Sequence, residues 1–274
     1  YTDAESQDGI AGGYVGSVEG SEITNSDANK FEYVIGERAA GGYAGRMVAG
    51  DVLNLLESTS LLGKLANLSE TLASLMSFYV SEIQDSSTSA VPCGGIVRAE
   101  APSDEIALRG AAGGYVGYSE GGQIIGETEE CAAIRIRSVY GYEYAGGFTG
   151  FAKASETLGA GNVSLLGGLI TVSNLADILE IVYPIQTNTA VYGPLQKLDV
   201  DTWNSWVEGV GSFGAYGNKI LTEQIDSQEE MDAFIAENSY GYQIAAGRSE
   251  YEQGAYTSGG GTAGGYIGAM RSGK

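Results

Sequence analysis

The sequence predicts a parallel β-solenoid, a right-handed β-helix built as a duplicated two-coil unit with helical insertions; a β-sandwich-rich α+β fold is the alternative. Three observations predict the solenoid. A glycine-flanked aromatic motif recurs five times: "AGGYVG" at 11–16, "AGGYAG" at 40–45, "AGGYVG" at 112–117, "AGGFTG" at 145–150 and "AGGYIG" at 263–268. Glycine supplies 43 of 274 residues without a three-residue period, so these glycines serve recurring turns or close backbone approaches. Two leucine-rich segments follow two of the motifs at matching distances, Ser60 lying 20 residues after Ala40 and Ser164 lying 19 after Ala145.

The repeats come first, because missing them would misread the whole fold. Between motif alanines the intervals are 29, 72, 33 and 118 residues. The two short intervals are bare coils, and the two long ones are the same coil with insertions. After the first and third motifs the chain runs through a glycine-containing turn and a short "EIT" or "QII" strand. An irregular polar stretch and a β-branched or aromatic strand then lead to the next motif.

Within each motif, strand alternation puts Gly12, Tyr14 and Gly16 on one face and Ala11, Gly13 and Val15 on the other. The variable site reads Val15, Ala44, Val116, Thr149 and Ile267, all small or β-branched, which suits a narrow stacked interior. Coils stacked about 4.8 Å apart align Tyr14, Tyr43, Tyr115, Phe148 and Tyr266 as an aromatic ladder. Such a ladder serves either as a candidate binding stripe for sugars or proteins, or as packing beneath the inserted helices.

The excursions are expected at about 52–85 and 163–185. In the first, Leu61, Leu65, Leu68, Leu72, Leu75, Met76, Tyr79, Val80 and Ile83 recur at helical steps. In the second, Leu165, Leu169, Val172, Leu175, Ile178, Leu179 and Val182 do the same before Pro184, and Asn174, Asp177 and Glu180 break up any membrane span. Helices leaving equivalent points of duplicated units should pack side by side. Residues 195–262 read as an irregular α/β insertion in which Ser227 and Glu230 form a capping-box pattern before a short helix. "DVDTWNSWVEG" misses calcium-loop spacing at Asp199, Asp201 and Asn204. The whole chain, 1–274, is therefore expected to be a single solenoid segment.

Thirty-five acidic residues against 14 basic ones give a formal net charge of −21, a surface that repels nucleic acid and anionic lipid. Histidine is absent, which removes Ser-His-Asp and Cys-His catalysis and the commonest metal ligand. No catalytic set, metal site or cofactor site is nominated, and the expectation is a protein that is not an enzyme. Cys93 and Cys131 lack metal or redox spacing. Aligning "CGGIVRA" with "CAAIRIR" places Cys93 over Cys131, Ile96 over Ile134 and Arg98 over Ile136, with Ser26 at the equivalent site, so the cysteines form either a disulfide or a stack of two thiols. The opening "YTDAESQDG" has no basic start, apolar run or methionine, as expected of a processed protein or a piece of a longer one.

The "GGYVG" cores, each followed by a turn and a strand such as "IIGETEEC", resemble the glycine-rich GLUG-type repeats of bacterial cell-surface proteins, usually GGLVG, with tyrosine here in place of leucine. The resemblance covers the five motifs and their flanks. It implies a β-solenoid module of a secreted adhesin or of the non-catalytic part of a surface protease, located outside the cell. The function expected is structural or adhesive, with a host-cell protein, a glycan or a neighbouring domain as partner. A carbohydrate-binding or carbohydrate-active β-helix is the alternative. Because the last motif ends six residues before Lys274, an exposed final edge is expected, covered by a neighbouring domain, a second copy or residues 195–262.

Overall fold

The computed structural model describes residues 4–6, 9–50, 80–92, 94–100, 110–155, 184–210, 224–238, 243–246 and 261–271. The first coil contributes β1 (Ala4–Ser6), β2 (Ile10–Gly12), β3 (Val15–Glu19), β4 (Glu22–Thr24) and β5 (Ala28–Phe31). The second contributes β6 (Tyr33–Gly36), β7 (Ala39–Gly41), β8 (Ala44–Val48), β9 (Glu82–Gln84) and β10 (Thr88–Ala90). The third has β11 (Gly95–Ala99), β12 (Ala111–Gly113), β13 (Val116–Glu120), β14 (Gln123–Ile125) and β15 (Cys131–Ile134). The fourth has β16 (Ile136–Gly141), β17 (Tyr144–Gly146), β18 (Thr149–Lys153), β19 (Ile185–Thr187) and β20 (Thr189–Val191). Two helices follow, α1 (Val200–Val210) and α2 (Gln228–Asn238), before a three-stranded fifth coil of β21 (Gln243–Ala246), β22 (Thr262–Gly264) and β23 (Ile267–Arg271).

Strands five places apart pair in parallel, giving five sheets: β1-β6-β11-β16-β21, β2-β7-β12-β17-β22, β3-β8-β13-β18-β23, β4-β9-β14-β19 and β5-β10-β15-β20. This is a parallel β-solenoid of the right-handed β-helix type. The motifs stack in register: Ala11 pairs with Ala40, Ala40 with Ala112, Ala112 with Ala145 and Ala145 with Ala263. Ile23, Ile83 and Ile124 form another inward column, and Val34, Val97, Val139 and Ile244 a third.

The motif is a corner, and this corrects the simple alternation expected of a strand. One strand ends at its first glycine and the next begins after the aromatic residue, so Ala40, Tyr43 and Ala44 all turn into the same core. Each glycine has its own spatial reason. A Cβ on Gly41 or Gly113 would lie 1.9 Å from the carbonyl oxygen three residues on. On Gly42 or Gly114 it would meet the matching glycine carbonyl of the next coil at 2.1 and 2.0 Å, and on Gly117 the carbonyls of Ala40 and Gly45 at 2.6 Å. The coils therefore approach at backbone distance only because nothing projects between them.

A second corner follows the fourth strand of each coil. Asn25, Asp85 and Asn188 sit there with φ of 51°, 46° and 49°, left-handed values that asparagine and aspartate tolerate better than most residues. Gly126 takes the place in the third coil: the amides of Asn25, Asp85 and Gly126 donate in turn to Gln84, Ile125 and Thr187.

Both excursions leave after the third strand of a coil, beyond Val48 and beyond Lys153, and return before β9 and β19. These are equivalent points, as the duplication requires. The helices expected at 52–85 and 163–185, and their side-by-side packing, lie largely outside the described residues. At their far ends the helical reading overran: Ile83 belongs to β9, stacked on Ile23, and Ile185 to β19. Ile83 follows Val80 at a helical step, but Glu82-Ile83-Gln84 is the same strand as Glu22-Ile23-Thr24. The insertion expected at 195–262 is likewise interrupted, since β21 rejoins the solenoid by pairing with β16.

In that insertion, Leu195, Leu198, Trp203, Trp206, Val207, Ile225 and Met231 form their own small core against Val91 of the second coil. Ser227 caps α2 through a bond from the Glu230 amide, and the Glu230 carboxylate accepts from the Asp226 amide. Asp199 caps α1, accepting from the amide and hydroxyl of Thr202. The segment that misses calcium-loop spacing is a helix start.

Candidate functional site

The predicted ladder exists. Successive centroids of Tyr14, Tyr43, Tyr115, Phe148 and Tyr266 lie 5.0, 4.9, 4.6 and 5.2 Å apart, with interplanar angles of 15° or less. The spacing is that of the strands, so backbone pairing sets the stack. The rings cross the interior from the first corner to the second. The Tyr43 hydroxyl donates to the Ser26 carbonyl at 2.8 Å and the Tyr115 hydroxyl to the Ser86 carbonyl at 2.7 Å, each reaching back one coil, while that of Tyr266 meets the Thr189 hydroxyl.

As a ligand stripe, the ladder is closed along its length. Tyr43, Tyr115 and Phe148 have no exposed surface, and Tyr14, at the first coil, is the exposed ring at 48%. The two glycines beside each ring let the chain turn, bringing the aromatic residue inside. Burial pushes the phenols of Tyr43, Tyr115 and Tyr266 above the ordinary tyrosine range.

Cys131 is a buried free thiol stacked on Thr189 and beside the Tyr115 hydroxyl; burial raises its pKa, which suppresses its reactivity. The alignment that set Cys93 over it fails at the positions that are described. Ile96 pairs with Ser138 rather than standing over Ile134, and Arg98 pairs with Tyr140 rather than Ile136. Ile96 belongs to β11, whereas Cys131 and Ile134 both belong to β15. Cys93 lies outside the described residues. Ser26 does belong with Cys131, because Thr88 pairs with both Ala28 and Ala133, two positions further on.

Other side chains in this region carry structural tasks that sequence reasoning missed. Asp85 accepts bonds from the amides of Glu127, Thr128 and Glu129 and from the Thr128 hydroxyl. Burial works the other way, but these donors hold its carboxyl below the ordinary range. It thereby pins the extra loop between β14 and β15. Arg135, with φ 61°, is buried where the helices meet the solenoid, donating to the carbonyls of Ala90 at 2.7 Å and Lys197 at 3.4 Å. Tyr118, Tyr144 and Phe151 form a second buried aromatic cluster, signalled only by the second aromatic of "GGYVGY" and "GGFTGF".

The fifth coil is less covered than the inner coils. Ala263 and Met270 in the fifth coil stand in columns whose inner members Ala40, Ala112, Ala145, Met47, Ser119 and Ala152 are buried, yet both are exposed. The described helices pack against Val91 of the second coil. Along the inner corner the amides of Tyr14, Tyr43, Tyr115 and Phe148 each donate to the next coil. Among the described residues, the Tyr266 amide has no such acceptor and the Tyr14 carbonyl no such donor.

Glu82 is held above the ordinary carboxylate range by burial and by Glu22 and Glu127. Among the described residues, no group of three or more Cys, Asp or Glu side chains is placed to hold a metal ion, and no helix is long and apolar enough to cross a membrane. The chain matches no protein-family model, and no curated protein or solved structure is significantly similar to it.

Proposed function

We propose that this chain is a structural or adhesive module of an extracellular bacterial cell-surface protein, a rigid solenoid block that holds an outer surface for a host-cell protein, a glycan or a neighbouring domain. The observation that carries the reading is the use made of the repeated residues. Each motif turns its aromatic ring into the core, and the hydroxyls of Tyr43 and Tyr115 tie one coil to the next. What repeats in this sequence builds stiffness. The outer positions of the same strands differ from coil to coil, as at Glu19, Val48, Glu120, Lys153 and Arg271. The likeness to GLUG-type repeats adds the cell-surface setting.

Calorimetric titration of the chain with soluble glycans and with host-cell surface proteins, with product analysis on every glycan that binds, tests this reading. Binding without any change in the ligand supports a presenting module. Release of shortened or unsaturated sugars would replace it with a carbohydrate-active β-helix.

A further inference from the structure

We infer that the crest of the third-coil loop, residues 127–129, is a pH-sensitive latch, hung on the one side chain of Asp85 and pushed outward by neighbouring glutamates. The loop is an addition to the coil plan. In the second coil residues 85–87 join β9 to β10, whereas residues 126–130 join β14 to β15 in the third. Both ends of the loop are tied to adjacent coils. The Gly126 amide donates to the Thr187 carbonyl and the Cys131 amide to that of Asn188. The Glu130 carbonyl accepts from the Ser87 hydroxyl, and its carboxylate accepts from Tyr192 and Lys197.

Between those anchors the crest depends on Asp85. Its Oδ1 accepts the amides of Glu127, Thr128 and Glu129 at 2.7, 3.0 and 3.1 Å, and its Oδ2 accepts the Thr128 hydroxyl at 2.8 Å. Among the described residues, no other hydrogen bond or ion pair holds these three, and all three are exposed.

A second force opposes the latch. Glu22 of β4 and Glu82 of β9 are ladder partners, with uncharged Gln123 of β14 next in the column, so the two carboxylates rise from backbones about 4.8 Å apart. Glu127 adds a third negative charge, and among the described residues none of the three has an ion-pair partner. Burial, Glu22 and Glu127 together hold the Glu82 carboxyl above its ordinary range. Burial also raises that of Asp85, but its four donors outweigh this and hold it below the range. Of the other groups nearby, burial keeps the Cys131 thiol protonated, Asp27 accepts the Ser87 amide, and Glu130 is matched by Lys197.

The two carboxyls therefore act on one loop in turn. As the pH falls from neutral, Glu82 takes a proton first, its repulsion of Glu127 ends and the crest tightens. At lower pH Asp85 is protonated, its charge-assisted bonds are lost and the crest is released. The loop is held best in mild acid, between the two titrations.

Backbone NMR, with amide proton shifts and proton–nitrogen NOEs followed from neutral pH into acid, tests this. The NOEs of the Glu127, Thr128 and Glu129 amides are expected to rise towards those of β14 in mild acid, then to fall as the three protons shift upfield together. Glu82→Gln keeps the side-chain shape without the charge, so its crest should start at the mild-acid level and lack the first step. Asp85→Gly removes the carboxylate and suits the φ of 46°, as Gly126 does at the matching corner of the third coil. Its crest amides should be mobile at every pH while the strand shifts stay in place. Crest NOEs equal to those of β14 in Asp85→Gly, or a Glu82→Gln crest identical to the parent at neutral pH, would overturn the inference. Should the glycine variant not fold, the Glu82→Gln comparison decides alone.

Discussion

Gly114 shows most directly how a single atom limits this fold. A methyl group there would sit 2.0 Å from the Gly147 carbonyl oxygen, a backbone atom that moves only if two coils separate. Gly114→Ala is expected to cost about 3 kcal/mol or more, read as a lower urea midpoint. Asp85 gives a pH-dependent counterpart. Its carboxyl is held below the ordinary range, so its contribution is present above that range and lost as the pH falls through the depressed value. Asp85→Asn should lower the melting temperature at neutral pH, and the gap should close in acid; a gap independent of pH would count against the bonding described. The motif itself was legible in the sequence, since five copies of one pattern need one geometry. That its ring points inward was not, because strand alternation assumes a straight strand and the chain bends after Gly12. The role of Asp85 was illegible for another reason: its bonding partners lie 42 to 44 residues away.

Among the elements, the short strands are held by their neighbours and the helices by local devices. A three-residue strand such as β4 or β9 has little preference of its own, and "EIT" and "EIQ" became readable as strands only when set beside each other. The capping box at Ser227 could be read directly because all its atoms lie within one helical turn. Asp199 stands in an equally local pattern with Thr202, but its neighbours Asp201 and Asn204 drew attention to metal binding. The structure makes it a helix cap. Asp199→Ala is expected to cost about 1 kcal/mol of local stability. The chain's two tryptophans, Trp203 and Trp206, both belong to α1, so tryptophan fluorescence reports this helix without contribution from the solenoid. The variant should show an earlier red shift on heating while the β-sheet dichroism melts as before. Simultaneous loss of both signals would mean that the helices and the solenoid unfold as one unit.

At the scale of the whole molecule, the solenoid is a set of columns crossed by a chain whose path length is free at one place. In the bare coils, β3 joins β4 through Gly20 and Ser21, and β13 joins β14 through Gly121 and Gly122, with Gly20 and Gly121 at φ of 50° and 65°. In the second coil the same link is split open. Ala49 makes the bond to Glu120 that Gly20 makes to Val48, and Ser81 accepts from Gln123 as Ser21 accepts from Glu82. Removing residues 50–80 and joining Ala49 to Ser81, with Ala49→Gly to supply the positive φ, should therefore leave a folded chain with the same sheet dichroism. An insoluble or unfolded product would show that the excursion is needed for more than connection. The split link also marks where foreign sequence can enter. A guest domain whose ends lie close together should be accepted between Gly20 and Ser21 or between Gly121 and Gly122, because the fold already carries long passengers at the matching points of its other two coils. Two sockets of this chassis stand empty, side by side with two that are filled, and cargo fitted to them would leave the ring ladder undisturbed.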